Sequence, residues 1–411
     1  MPILNTKRLR DYPRLMLIAT WLIMGINLLF HQGWIGAFGQ IIGGDFIMFY
    51  STGEIYRSEP NLIFNYDTQS IMQQSLVSPT VLPGYNPYMN PPFVAPLYSL
   101  LTFLSLQWAF LFWTVIAFIS VFISAYYLSK LVSDDNKRTD LSYTQLIIII
   151  LSFFPFVEGL LSGQNHWLTL LLVTGIVFST IKEKWYQSGI LAGLLIYKPQ
   201  FVIGFLVIWL LWKKYKSLLS FGLVALSWVG MFTLTNGFNL LRTYVEQSQL
   251  FMNLPYIDGF PNYLLVTFYG LLTSILPQDT QSVSSLLSNI LFIVAVIGIG
   301  WMAYRLREGS VRDQIPAIVA AIILPLLATP YALLHDMVIL IPAFVLWKVY
   351  NNSHKFIQLS FFTYLGAFFL TFIGAVTKIA WGSLLIIGLS IAMLSWSISH
   401  RMKFLGKNNN G

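Results

Sequence analysis

Apolar runs long enough to cross a bilayer recur along this chain from residue 15 to residue 399, parted by short charged segments. A run of about 20 apolar residues matches the thickness of a membrane's hydrocarbon core, and a series of them points to a bundle of membrane helices. The composition agrees. Of 411 residues 56% are hydrophobic and only 10% charged, whereas a soluble domain carries roughly 25% charged residues. The chain is therefore expected to be an all-α polytopic membrane protein, with one membrane-embedded domain over residues 1–411. Most soluble enzyme folds are excluded. The net charge of +8 does not mark a nucleic-acid partner, and the absence of cysteine excludes a thiolate nucleophile and a Cys-ligated metal.

Spans are expected at residues 15–31, 107–131, 142–159, 166–181, 217–236, 284–304, 315–329, 336–350, 356–374 and 381–399. A longer apolar stretch, 185–212, is broken at Lys198-Pro199 and reads as two short crossings, which brings the total to twelve. Two stretches, 91–105 and 263–276, are too short to span and read as interfacial or re-entrant. Cytoplasmic loops collect Lys and Arg. If both termini are cytoplasmic, all 24 Lys and Arg fall on that side except Arg57, Lys198, Arg242 and Lys378. The same topology puts two long hydrophilic regions outside: residues 32–90, with juxtamembrane helices, and residues 237–283. Residues 400–411 form a cytoplasmic tail. The first apolar run lacks the cleavage site of a signal peptide.

Several polar residues meet at the outer face of this map. Asp45, in Gly43-Gly44-Asp45-Phe46, is a candidate general base if a hydroxyl comes within hydrogen-bond reach, shielded by Phe46 and Tyr50. Equally, Asp is a favoured N-cap and would start a helix over 45–57. The aromatic spacing of that helix reads as an amphipathic helix lying on the membrane surface. Gly163-Gln164-Asn165-His166 opens a span, and its amides and imidazole either bind sugar hydroxyls or cap the helix. Lys198 stands in a broken hairpin. An ionisable residue at membrane depth is functional by default, and a phosphate is its natural partner; the alternative is a side chain snorkelling to the interface. His335 opens a late span and either assists a leaving phosphate or is a structural interfacial residue. Tyr50 and Glu54 complete the candidates for contact with sugar or acceptor, together with Gln164, Asn165 and His166. No local His, Asp or Glu spacing suits a metal site. No cofactor is expected, and a divalent ion is left open.

The order of these motifs resembles the membrane glycosyltransferases of the C superfamily, specifically glycosyltransferase family 87. The resemblance rests on Gly44-Asp45-Phe46 with its Tyr-rich helix, Asn90-Pro91-Pro92, Gly163-Gln164-Asn165-His166, Lys198-Pro199-Gln200, and Pro330 through His335. It extends over roughly residues 15–350. The chain departs from the family pattern at Leu333-Leu334, where members often have Trp-Asp before the late His. The resemblance implies a GT-C-type fold and a polyprenyl-phosphate sugar donor, usually of mannose. It further implies inverting transfer to the hydroxyl of a lipid or glycan acceptor outside the cytoplasm of a bacterial plasma membrane. Asp45 would then be the base, and Lys198 and His335 would hold the departing phosphate. Besides donor and acceptor, the expected partners are membrane lipids. The rival readings are a transporter or flippase, which would favour paired inverted repeats, and a non-catalytic scaffold, which would not need Lys198 at depth.

Overall fold

The computed structural model describes residues 6–133, 141–257, 259–350 and 354–408. Within these the chain is helical, and the strand-like elements are isolated bridges. It is an all-α integral membrane protein. Helix α1 (Thr6–Leu29) is followed by α2 (Gly44–Ser58) and α3 (Tyr66–Val77) in the first hydrophilic region. The stretch from Pro92 to Phe103 forms two 3₁₀ turns around α4 (Ala95–Ser99). Then come α5 (Leu106–Ser133), α6 (Tyr143–Ser152), α7 (Phe154–Ser162) and α8 (His166–Ile181). The broken hairpin is α9 (Trp185–Leu194) and α10 (Ile203–Leu211), followed by α11 (Tyr215–Asn236). The second hydrophilic region carries α12 (Asn239–Phe251) and α13 (Phe268–Ile275). The chain closes with α14 (Gln281–Leu306), α15 (Val311–Ala328), α16 (Leu340–Tyr350), α17 (His354–Thr377) and α18 (Gly382–Asn408). Of the tail, residues 409–411 lie outside the described residues.

Each expected span falls on a helix, but the count of twelve does not carry over. Among the described residues six helices, α1, α5, α11, α14, α15 and α17, are long and apolar enough to cross a membrane. The count becomes seven if α6 and α7, bent by 60° at their junction, make one span. The others are shorter for a physical reason. Helices α9 and α10 hold ten and nine residues, or about 15 Å each at 1.5 Å per residue, half of the hydrocarbon thickness. The Pro92–Phe103 stretch is likewise too short to cross.

Helix α15 lies at the centre, buried along nearly its whole length, while α11 and α14 present Leu223, Leu226, Ile293 and Ile297 outward. A helix apolar on all sides belongs in a core or in lipid, and here the two cases sit side by side. Three proline breaks interrupt the inner helices. Pro155 starts α7 just past the bend, Pro199 follows Lys198, and Pro330 follows the end of α15. Proline removes a backbone donor and ends or kinks a helix. Non-helical backbone inside a membrane is tolerated only where protein or a cavity covers it. Pro155 and Lys198 are buried at their breaks, and each of the three breaks has an ionisable residue near it.

Candidate active site

The α2 helix differs from both local expectations for it. Its N-cap is Gly43, in the left-handed region at φ 66°, and no side chain caps it; Asp45 sits inside the first turn. Nor does α2 lie on a surface, since ten of its fifteen residues are buried. Its start docks onto the end of α7: the Gly43 N–H donates to the Leu161 carbonyl at 2.8 Å. A Cβ on Gly163 would come within 2.5 Å of the Phe46 Cβ. Gly163 itself has φ 73°, a conformation that glycine adopts without strain. Rings pack round this junction, Phe49 stacked on Tyr98 at 4.5 Å and Trp113 edge-on to Trp167 at 4.9 Å. The Asp45 carboxylate is thus held half-buried against α7.

Around Asp45 stand the groups carried by the proline breaks. The Ser162 hydroxyl is its side-chain hydrogen-bond neighbour, and His335, Glu158 and Lys198 are close enough to act on its charge. Burial pushes the Asp45 carboxyl above the usual carboxylate range, while His335 and Lys198 pull it partly back. Lys198 does not snorkel. Its ammonium donates to Asp336 Oδ1 at 2.6 Å, both side chains nearly buried. The second oxygen, Asp336 Oδ2, accepts the Leu333 N–H at 3.1 Å, which fixes the 3₁₀ segment Leu334–Ile339. His335 lies between two carboxylates, Nδ1 at 3.5 Å from Glu158 Oε2 and Nε2 at 3.9 Å from Asp336 Oδ2. Glu158 and Asp336 thus flank the imidazole in a chain that has Leu333-Leu334 just before it.

The remaining candidates divide. Asn165 Nδ2 donates to the Tyr98 hydroxyl at 3.2 Å, and its Oδ1 is buried without a partner. Gln164 Oε1 accepts the Asn165 N–H at 2.9 Å. Both nitrogens of His166 lie near backbone carbonyls, Gln164 at 3.1 Å and Phe156 at 3.0 Å, so this imidazole is taken up in packing. Tyr50 and Glu54 are not brought to the cluster. They follow Asp45 by five and nine residues, which turns them about 140° and 180° round the helix. The Tyr50 hydroxyl donates to the Leu104 carbonyl at 2.8 Å, and Glu54 is its neighbour, beside Arg57.

The second hydrophilic region packs against the segment that precedes His335. The Val266 N–H donates to the Ala332 carbonyl at 3.0 Å, and Phe260 packs on Tyr331. The two hydrophilic regions also meet each other, Tyr66 donating to Gln247 Oε1 at 2.9 Å. Glu158 is the residue that sequence reasoning passed over. It lies at the end of an apolar run, where a carboxylate is costly, and that was the available signal. Its Oε2 is buried without a hydrogen bond. Among the described residues no three His, Asp or Glu gather as metal ligands.

The family model of glycosyltransferase family 87 matches residues 88–330, more than half of the chain and less than the motifs suggested. The match includes Glu158, Gln164, Asn165 and Lys198, while Asp45, His335 and Asp336 lie beyond its ends. No curated protein matches the chain. With an all-helical membrane fold and a polar cluster buried at its helix breaks, the chain belongs to glycosyltransferase family 87.

Proposed function

We propose that this glycosyltransferase moves a hexosyl residue, of mannose by family resemblance, from a polyprenyl-phosphate donor to an acceptor hydroxyl at the outer face. The observation that carries the reading is the convergence of Asp45, Lys198 and His335, from three distant parts of the chain, within one electrostatic neighbourhood. In this mechanism Asp45 takes the proton of the acceptor hydroxyl as its oxygen bonds to the anomeric carbon. The bond from that carbon to the phosphate oxygen breaks on the opposite face, which inverts the configuration. Lys198 and His335 offset the charge left on the polyprenyl phosphate, since fixed cations at a developing charge are worth far more away from water. Asn165 Oδ1, a buried acceptor without a partner, suits a sugar hydroxyl, because a buried polar atom gains most from its first hydrogen bond.

The outer placement rests on the distribution of Lys and Arg. As the chain contains no cysteine, single introduced cysteines report topology cleanly. Ser58→Cys should be labelled by an impermeant reagent from outside, and Lys214→Cys and Gly309→Cys only from inside. A fourth reporter position, Asp258, lies outside the described residues. In proteoliposomes the enzyme should accept a polyprenyl-phosphate hexose and ignore the nucleotide sugar. Transfer from the nucleotide sugar alone, or labelling of Lys214→Cys from outside, would overturn the proposal.

A further inference from the structure

A second feature lies away from this cluster. Helices α1, α6, α16 and α17 line a narrow cleft of about 130 Å³, open on one side. Most of its wall is apolar, with Ile149, Phe344 and Phe361 among the lining. Three polar groups of the wall are donors without a partner. Gln145 Nε2, Trp347 Nε1 and Ser360 Oγ are buried and have no hydrogen-bond partner, and no carboxylate lines the cleft. Two cations, Arg10 and Lys348, complete the lining. Arg10 leans on half-buried Asp11 at 3.1 Å, and Lys348 has no ion-pair partner among the described residues.

Three orphan donors and two cations along an apolar slot call for a ligand that is greasy, anionic and rich in acceptors. We infer that this cleft binds an anionic phospholipid, its phosphate between Arg10 and Lys348 and one acyl chain along the slot. The phosphate and ester oxygens supply acceptors only, which answers Gln145, Trp347 and Ser360 together. The charged end is not the donor-phosphate site. Lys348 lies twelve residues beyond Asp336, through a 3₁₀ segment and α16, a separation of roughly 20 Å. A buried donor left unpaired is costly, so a ligand that accepts from these three groups stabilises the fold.

The test measures lipid affinity without turnover, so it stands or fails apart from the proposed sugar donor. The purified protein is titrated with phosphatidylglycerol and with phosphatidylcholine, binding being read by native mass spectrometry and by thermal shift. Phosphatidylglycerol should bind at least about tenfold more tightly, and Lys348→Gln should weaken it about fivefold, a surface cation being worth about 1 kcal/mol toward an anionic lipid. Gln145→Leu gives the sharper signature. It removes an orphan donor, and should raise the unfolding temperature in phosphatidylcholine while weakening phosphatidylglycerol binding. Equal affinity of the wild type for the two lipids, or an unchanged affinity in Lys348→Gln, would overturn the inference. So would Val345→Trp, which fills the slot, if it raised KM for the polyprenyl donor and left phosphatidylglycerol binding intact; the occupant would then be the donor's chain.

Discussion

The Lys198 ammonium meets Asp336 at 2.6 Å across 138 residues of sequence, so the lysine is paired before any phosphate arrives. A donor phosphate therefore joins an existing ion pair rather than a bare cation. Burying two charges is expensive, and removing one partner of such a pair typically costs about 3–5 kcal/mol, whereas replacing both with apolar residues is often neutral. Lys198→Met and Asp336→Leu should each lower the unfolding temperature sharply, and the double variant should recover most of the loss without recovering transfer. A thermal double-mutant cycle in detergent checks this. If Lys198→Met alone is as stable as wild type, the ion pair contributes nothing.

Glu158 holds one side of His335, and a carboxylate beside an imidazole sets its orientation and proton affinity. Glu158→Gln keeps the size and removes the charge. Transfer should fall about 10–100-fold, the usual cost of losing such an outer partner, mainly in kcat, with a changed pH profile. A variant with wild-type kcat and an unaltered profile would make Glu158 a packing residue only.

Gly163 carries the contact that seats α2. Alanine there would need its Cβ 2.5 Å from that of Phe46 and 2.9 Å from the Phe110 ring, at a positive φ. Gly163→Ala should cost about 1–3 kcal/mol and displace Asp45, lowering stability and turnover together. Gly230, inside α11 with open space around it, is the control. Gly230→Ala should be neutral or stabilise by up to about 1 kcal/mol.

A base works only when ionised, and burial raises the Asp45 pKa above its ordinary 3.8. The sign follows: transfer is fully present above the folded pKa and falls as pH drops through it. The acid limb of kcat should therefore lie above that of a solvent-exposed aspartate, and the residual activity of Asp45→Asn should lack the limb. A limb at or below the ordinary carboxylate range would contradict the burial described here.

The helices were legible because membrane spans are written in long apolar runs, and the break at Lys198-Pro199 because proline marks it. Asp45, Lys198 and His335 stood out as charged or titratable residues where such groups are costly. The pairing of Lys198 with Asp336 was hidden, since the partners lie 138 residues apart and sequence shows no contact at that range. The α2 helix was misplaced on the surface because an aromatic face at helical spacing looks the same whether it meets lipid or protein. Only the packing of Gly43 and Gly163 against its neighbours decided between them. The count of twelve spans is not confirmed by helices of spanning length, because hydropathy reports apolar length and not the bends that shorten α6, α7, α9 and α10.

The most direct measurement compares Asp45→Asn with Glu54→Gln for single-turnover transfer from a polyprenyl-phosphate sugar. Asparagine keeps the shape of the side chain and cannot take the proton. Because no side chain caps α2, folding should be unaffected, and both variants should unfold within a few degrees of wild type. Asp45→Asn should slow transfer by at least about a hundredfold, the lower end of a general base's contribution. Glu54→Gln, on the opposite side of the helix, should stay near wild type. Near-normal transfer by Asp45→Asn, or its loss in Glu54→Gln instead, would contradict the account and move the base to the other face of α2.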